Sequence, residues 1–194
     1  MADYNFSKAD AIVSIGADIL GDWQGGGYDS DYSKSRIPHK NQGKAKMSKH
    51  FQFEANMTLS GASADIRVPA TPTQQKNILA HLYANLTGTK ISGSLEAVIQ
   101  SKLDKAIQAL KEAGSKAVVV SGIQEVGAQK IVLAINNYIQ SEVINVNTPR
   151  LIRQGNVQEV ASVIEAVKKA SIGGLITVGV NPVFTLADGA AFAE

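Results

Sequence analysis

Gly16, Ala17 and Asp18 follow an apolar run, Ala11 to Ile15, and Gly21, Gly25, Gly26 and Gly27 come soon after. A glycine-bearing turn off the end of a buried strand is where a parallel sheet receives the phosphates of a dinucleotide. That chemistry needs G-x-G-x-x-G running directly into a helix, so that amides and the helix dipole face the anion. The spacing here does not match, and no Walker-type lysine accompanies it. Asp18, Asp22, Asp29 and Asp31 add carboxylates to the loop. Each one close to a pyrophosphate costs about 1 kcal/mol or more in repulsion. The loop is therefore a poor phosphate cradle. Its glycines are expected to permit tight backbone packing around Trp23, or an interface.

The other candidate chemistry is thin. Glu54, at the end of the run His50–Glu54, stands where a ribose hydroxyl could be read, against the favoured reading of a solvated strand-end carboxylate. His39, His50 and His81 lack metal-ligand spacing and read as surface or packing residues. Ser60-Gly61 and Ser121-Gly122 lack the nucleophile-elbow pattern. Lys34, Arg36, Lys40, Lys44, Lys46 and Lys49 form a basic stretch with no acid among them, with Phe51 and Phe53 the only stacking aromatics nearby. A charged loop, or a contact with an acidic partner, fits that stretch better than nucleic acid does. One echo stands out: apolar strand, Gly16-Ala17-Asp18 in the first half, and apolar strand, Gly179-Val180-Asn181-Pro182 near the end. In each the glycine allows a sharp turn and the Asp or Asn can bond nearby backbone.

The elements that must position these residues alternate. Strands are expected over 10–15, 50–54, 66–68, 116–122 and 173–179. Helices are expected over 28–36, from Pro72 to a stop at Gly88, from Leu95 to Gly114, over 125–141, and from a cap at Asn156 onward. Alternation of this kind implies an α/β, Rossmann-like three-layer fold with a mainly parallel sheet. Two lobes are expected, 1–88 and 93–194, joined through 88–94, with one continuous sheet as the alternative. The 194 residues are enough for a real core, and 44% are hydrophobic. The net charge of +2 does not by itself imply a partner. Without cysteine, the chain holds no disulfide, no thiolate-ligated iron–sulfur cluster and no Cys-type zinc site. No apolar run approaches the ~18 residues of a membrane span. Both ends read as cut, so a piece of a longer polypeptide is expected.

The segments "DYNFSKADAIVSIGADILGDW", "HFQFEANMTLSGASADIRVPATPTQQKNILAHLYANL" and "GGLITVGVNPVFTLADG" resemble the molybdopterin oxidoreductases in order and spacing. Within that family they are most similar to the molybdoenzyme-like, iron–sulfur subunit of alternative complex III, a respiratory quinol:electron-acceptor oxidoreductase. The resemblance runs from about residue 3 to 194 and is weakest across 90–155. It implies that Gly16, Asp18, Glu54, Gln75 and Asn181 stand at the positions where relatives hold a molybdopterin guanine dinucleotide. Here Asp18 replaces an Asn, Glu54 lacks the Pro-Arg that follows it in relatives, and Gln75 replaces a guanine-binding carboxylate. An amide offers one acceptor and turns a donor toward guanine's donor edge, leaving a polar group unpaired at about 1–3 kcal/mol. The resemblance therefore implies a cofactor-free scaffold, not catalytic alone, with iron–sulfur clusters carried elsewhere in the parent. Its partners would be other subunits of a membrane-bound complex, on the periplasmic side of the inner membrane. No nucleic-acid partner is expected. A genuine pterin-nucleotide site and a generic nucleotide-binding α/β domain are the alternatives.

Overall fold

The computed structural model describes residues 1–38, 46–150 and 155–193. His39, Lys40, Asn41, Gly43 and Lys44 of the basic stretch lie outside the described residues. Contacts divide the chain into two units, Met1–Ile152 and Arg153–Glu194.

In the first unit, β1 (Asp3–Tyr4) pairs antiparallel with a late strand, β6 (Ile144–Asn145). Four strands form the main sheet: β2 (Ala11–Ile15), β3 (Lys49–Glu54), β4 (Ile66–Pro69) and β5 (Ala117–Ser121). They are all parallel, in the order β4-β3-β2-β5. Val13 stands opposite Phe51 on one side and Val119 on the other. β2 and β5 are apolar or small at every position because both sheet faces are covered. Counted from β2, this is the order of half a Rossmann sheet. Its direction reverses between β2 and β5, and ligands in such sheets bind outside the carboxyl ends at that point.

Helices cover both faces. On one face Val13, Ile15, Phe53 and Val119 pack with α3 (Pro72–Thr87), α4 (Ala97–Ala113) and α5 (Val126–Tyr138) through Leu79, Leu82, Leu103, Leu110 and Ile135. On the other, Ile12, Val118 and Val120 meet Tyr4, Phe6, Ile19, Tyr28 and Tyr32. The last belongs to α1 (Asp29–Arg36). Each fully buried side chain of this size contributes about 1.5–3 kcal/mol. α3 starts where its sequence says it should: Thr71 and Gln74 form a capping box, Pro72 opens the first turn, and Gly88 ends it at φ +75°. A short α2 (Leu59–Ser63) interrupts what reads as a long connection.

The sheet ends at β5 because side chains occupy its outer edge. Asn136 accepts from Val119 N at 2.9 Å and donates to Val119 O at 2.7 Å. Ser141 Oγ donates to Ala117 O at 2.6 Å, and Gln129 Nε2 to Ser121 O at 3.2 Å. These bonds replace a fifth strand and remove an exposed edge.

The expected lobes joined through 88–94 give way to the alternative of one continuous sheet. β5 lies beyond 88–94 in sequence yet pairs with β2, so one sheet spans both sides, and the division falls after Ile152. The second unit contains α6 (Val157–Lys168), α7 (Pro182–Thr185) and α8 (Gly189–Ala193). Asn156 caps α6 as expected, accepting from the amides of Gln158 and Glu159. The strand expected over 173–179 does not form, and Ile176 is 90% exposed and Val178 84%. A strand needs a neighbour for its peptide groups, and the described residues of this unit supply none.

Candidate functional site

Four of the five candidate residues meet at the carboxyl edge of the sheet. Gly16 leaves β2 at φ +68°, a conformation open to glycine, and its amide donates to Phe53 O at 2.8 Å. A Cβ built on Gly16 would stand 2.5 Å from Gln75 Oε1. Gln75 reaches there from the first turn of α3 and donates from Nε2 to Ala70 O at 2.9 Å. Across the switch point, Ile15 O accepts from Gly122 N at 2.9 Å and from Ser121 Oγ at 3.0 Å. A side chain on Gly122 would overlap the Gly16 carbonyl. The main chains of β2 and β5 thus approach closely just past their carboxyl ends.

Two internal carboxylates take the amides that lead into α2. Asp18 Oδ1 accepts from Ser60 N at 3.1 Å and Ser60 Oγ at 2.7 Å, and Ser60 Oγ accepts from Leu20 N at 2.9 Å. Glu54 Oε1 accepts from Thr58 N at 3.2 Å, and Thr58 Oγ1 in turn accepts from Gly61 N at 3.1 Å. Helix-opening amides are the groups that elsewhere hold a phosphate. Here Asp18, Glu54 and Thr58 hold them.

Glu54 is not the solvated carboxylate expected from its place at a strand end. Its side chain is 2% exposed. It accepts from Arg67 Nε at 2.6 Å, Thr58 Oγ1 at 2.7 Å and Gln52 Nε2 at 3.1 Å. Burial pushes its carboxyl up, but the bonds from Thr58, Arg67 and Gln52 together outweigh burial and hold it below the ordinary range. Gly61 is required beside it, since any side chain there would overlap the carboxylate.

Glu54 ends a buried polar ladder along one face of β3. Gln52 Nε2 donates both to Glu54 and to Ala17 O, at 3.1 Å each, so its Oε1 is left to accept from His50 Nε2 at 3.2 Å. In that orientation His50 Nε2 donates, and Nδ1 pairs with Tyr32 OH at 3.0 Å, a hydroxyl that also reaches Ser63 O at 3.2 Å. Burial is the main cause that pushes His50 down to about 4, so the ring is neutral near pH 7. His50 is therefore a packing residue, as expected, but one inside a directed hydrogen-bond chain. Asp65 closes the far end: it accepts from His50 N at 2.7 Å and from both terminal nitrogens of Arg36, at 2.6 and 3.0 Å.

The glycine loop is packed against aromatic rings. Trp23 lies 5.5 Å from Tyr4 and 5.7 Å from Tyr28 between ring centroids. Arg150 sits 4.6 Å over the Tyr28 ring and donates to Gly26 O at 2.9 Å. Gly21, Gly25 and Gly26 donate their amides to Asp18 O, Asp22 O and Trp23 O within the loop. Those donors are turned inward, and the loop serves packing around Trp23.

Asn181 belongs to the second unit, where it is exposed and caps α7 by accepting from Phe184 N at 3.3 Å. Sequence reasoning missed Thr58 and Arg67 and set Ser60 aside as a nucleophile without seeing its bond to Asp18, because these roles depend on where α2 and β4 fall. The ladder had a signal: His50, Gln52 and Glu54 alternate with Phe51 and Phe53 along one strand. Among the described residues no group of three or more His, Cys, Asp or Glu side chains converges as a metal site would. None of their helices is long and apolar enough to cross a membrane. No family model matches the chain, and no curated protein is significantly similar to it.

Proposed function

We propose that this chain is a cofactor-free scaffold module of a molybdopterin oxidoreductase-like subunit in a respiratory quinol:electron-acceptor oxidoreductase of the alternative complex III type. In this reading it is not catalytic alone. It contacts other subunits of a membrane-bound complex on the periplasmic side of the inner membrane, and the iron–sulfur clusters lie elsewhere in the parent. One observation carries the reading: the groups that would face a nucleotide at the sheet's carboxyl edge are bonded to one another. Asp18 binds Ser60, Glu54 binds Thr58, Arg67 and Gln52, and Gln75 lies against Gly16. A nucleotide would have to break these bonds and bury the freed carboxylates, at a cost of about 1–3 kcal/mol for each polar group left unpaired.

A nucleotide-binding domain, including a genuine molybdopterin guanine dinucleotide site, is the second reading. The strand order and the left-handed Gly16 at the switch point favour it. Calorimetric titration with GDP separates the two. The scaffold reading expects no saturable heat up to millimolar GDP. Saturable binding that disappears when Gln75 is altered would overturn it.

A further inference from the structure

We propose that the second unit is a dimerisation module: the run from Leu175 to Val178 and the apolar stripe of α6 are covered by the same segment of a second copy of this chain. Among the described residues of this unit only Gly189 is buried. Val157 is 83% exposed and Phe184 87%, alongside Ile176 and Val178. A unit this small without a core of its own is not stable alone and needs a surface to bury against. From Ala170 to Ala187 the chain carries no charged residue, so the cover is apolar rather than an acidic or basic partner. This surface belongs to the other unit from the sheet edge, and the inference holds whether or not that edge takes a nucleotide.

Strand chemistry and helix charge both select a second copy. The run needs peptide partners on a strand edge, and the outer edge of β5 is already filled by Asn136, Ser141 and Gln129. An identical run, paired antiparallel about a two-fold axis, serves the N–H and C=O groups of both copies at once. The same axis sets the two α6 helices antiparallel. α6 carries Glu159 in its first turn and Lys168 in its last, followed by Lys169. Antiparallel packing brings the acidic end of each helix to the basic end of the other, whereas parallel packing sets like charges together. Val157, Val160, Ile164 and Val167 recur at three- and four-residue spacing, the seam of a two-helix contact. A stable dimer buries about 800 Å² per partner, so the short strand needs the helix stripe beside it.

The test is the mass of the full chain in solution, by light scattering across micromolar concentrations. A mass twice the 20.5 kDa of one chain is expected. Ile176→Asp should raise the dimer dissociation constant at least about tenfold. Met57→Asp, at an exposed apolar residue of the first unit, should leave it unchanged. Both positions are exposed, so the urea midpoint of the first unit should stay the same in each variant. The chain has no cysteine, so Val163→Cys, near the middle of α6, gives a single thiol. Mild oxidation is expected to link two copies through it, because antiparallel copies of one helix meet at their middles. A monomer at every concentration overturns the dimer, as does a dimer that Ile176→Asp leaves intact or that Val163→Cys fails to link. Equal weakening by Met57→Asp marks general adhesion and overturns it as well. A monomeric wild type that is blind to GDP removes the dimer and keeps the scaffold reading. A linked dimer that takes up GDP does the reverse.

Discussion

Two turns in this chain share a local plan and differ in surroundings. Gly16-Ala17-Asp18 and Gly179-Val180-Asn181 each follow an apolar run, and the two glycines adopt φ of +68° and +67°. Asp18 binds the start of α2, and Asn181 caps α7. The first turn leaves a strand paired on both sides, with Gln75 against its glycine. The second leaves an exposed segment, and a Cβ on Gly179 would meet nothing within 4 Å. A glycine followed by a capping Asp or Asn is enough to shape the turn. Whether the preceding run becomes a strand depends on peptide partners that lie far away in sequence.

Substitutions can break that comparison. The largest effect is expected at Gly122→Ala, which drives a Cβ into the Gly16 carbonyl. Neither backbone can yield without breaking the β2–β5 pairing, so a loss of about 3 kcal/mol or more in urea unfolding of the first unit is expected. Next comes pH. His50 is held at about 4 in the folded protein, against 6.5 as the ordinary value, chiefly by burial. The unfolded chain therefore binds a proton in this window that the folded chain does not. Its contribution is full above pH 6.5 and is lost as pH falls toward 4, on the order of 3 kcal/mol in total. Urea midpoints across that window should show the slope for wild type and a flatter one for His50→Phe.

Smaller effects sharpen the contrast between the turns. Gly16→Ala combines left-handed strain with displacement of Gln75 and should cost about 2 kcal/mol or more, whereas Gly179→Ala meets only the strain, about 1 kcal/mol. Equal losses for the two would show that Gln75 gives way freely. Asn181→Ala removes the cap of a four-residue helix and should cost about 0.5–1 kcal/mol, read as faster amide exchange at Phe184.

Most of the secondary structure was legible because periodicity and caps agree with it. Thr71-Pro72, Gly88, Gly114 and Asn156 mark helix ends, and Val118–Val120 can only be a strand buried on both faces. The sheet was less legible. Strand pairing is non-local, so the joining of β5 to β2 across 88–94 carried no local signal. The run from Leu175 to Val178 has every property of a buried strand except partners, and it stays exposed. At the candidate site, positions were legible and states were not. Glu54 reads as a strand-end acid, but its burial follows from Arg67, Thr58 and Gln52 converging on it, and those residues come from separate elements.

In the scaffold reading proposed above, side chains of the protein itself occupy this sheet edge in place of a pterin nucleotide. Purifying the full natural protein from its native source and measuring pterin released by denaturation tests this most directly. Far less than one pterin per chain is expected. One pterin dinucleotide per chain, bound against Asp18 and Gln75, would contradict it.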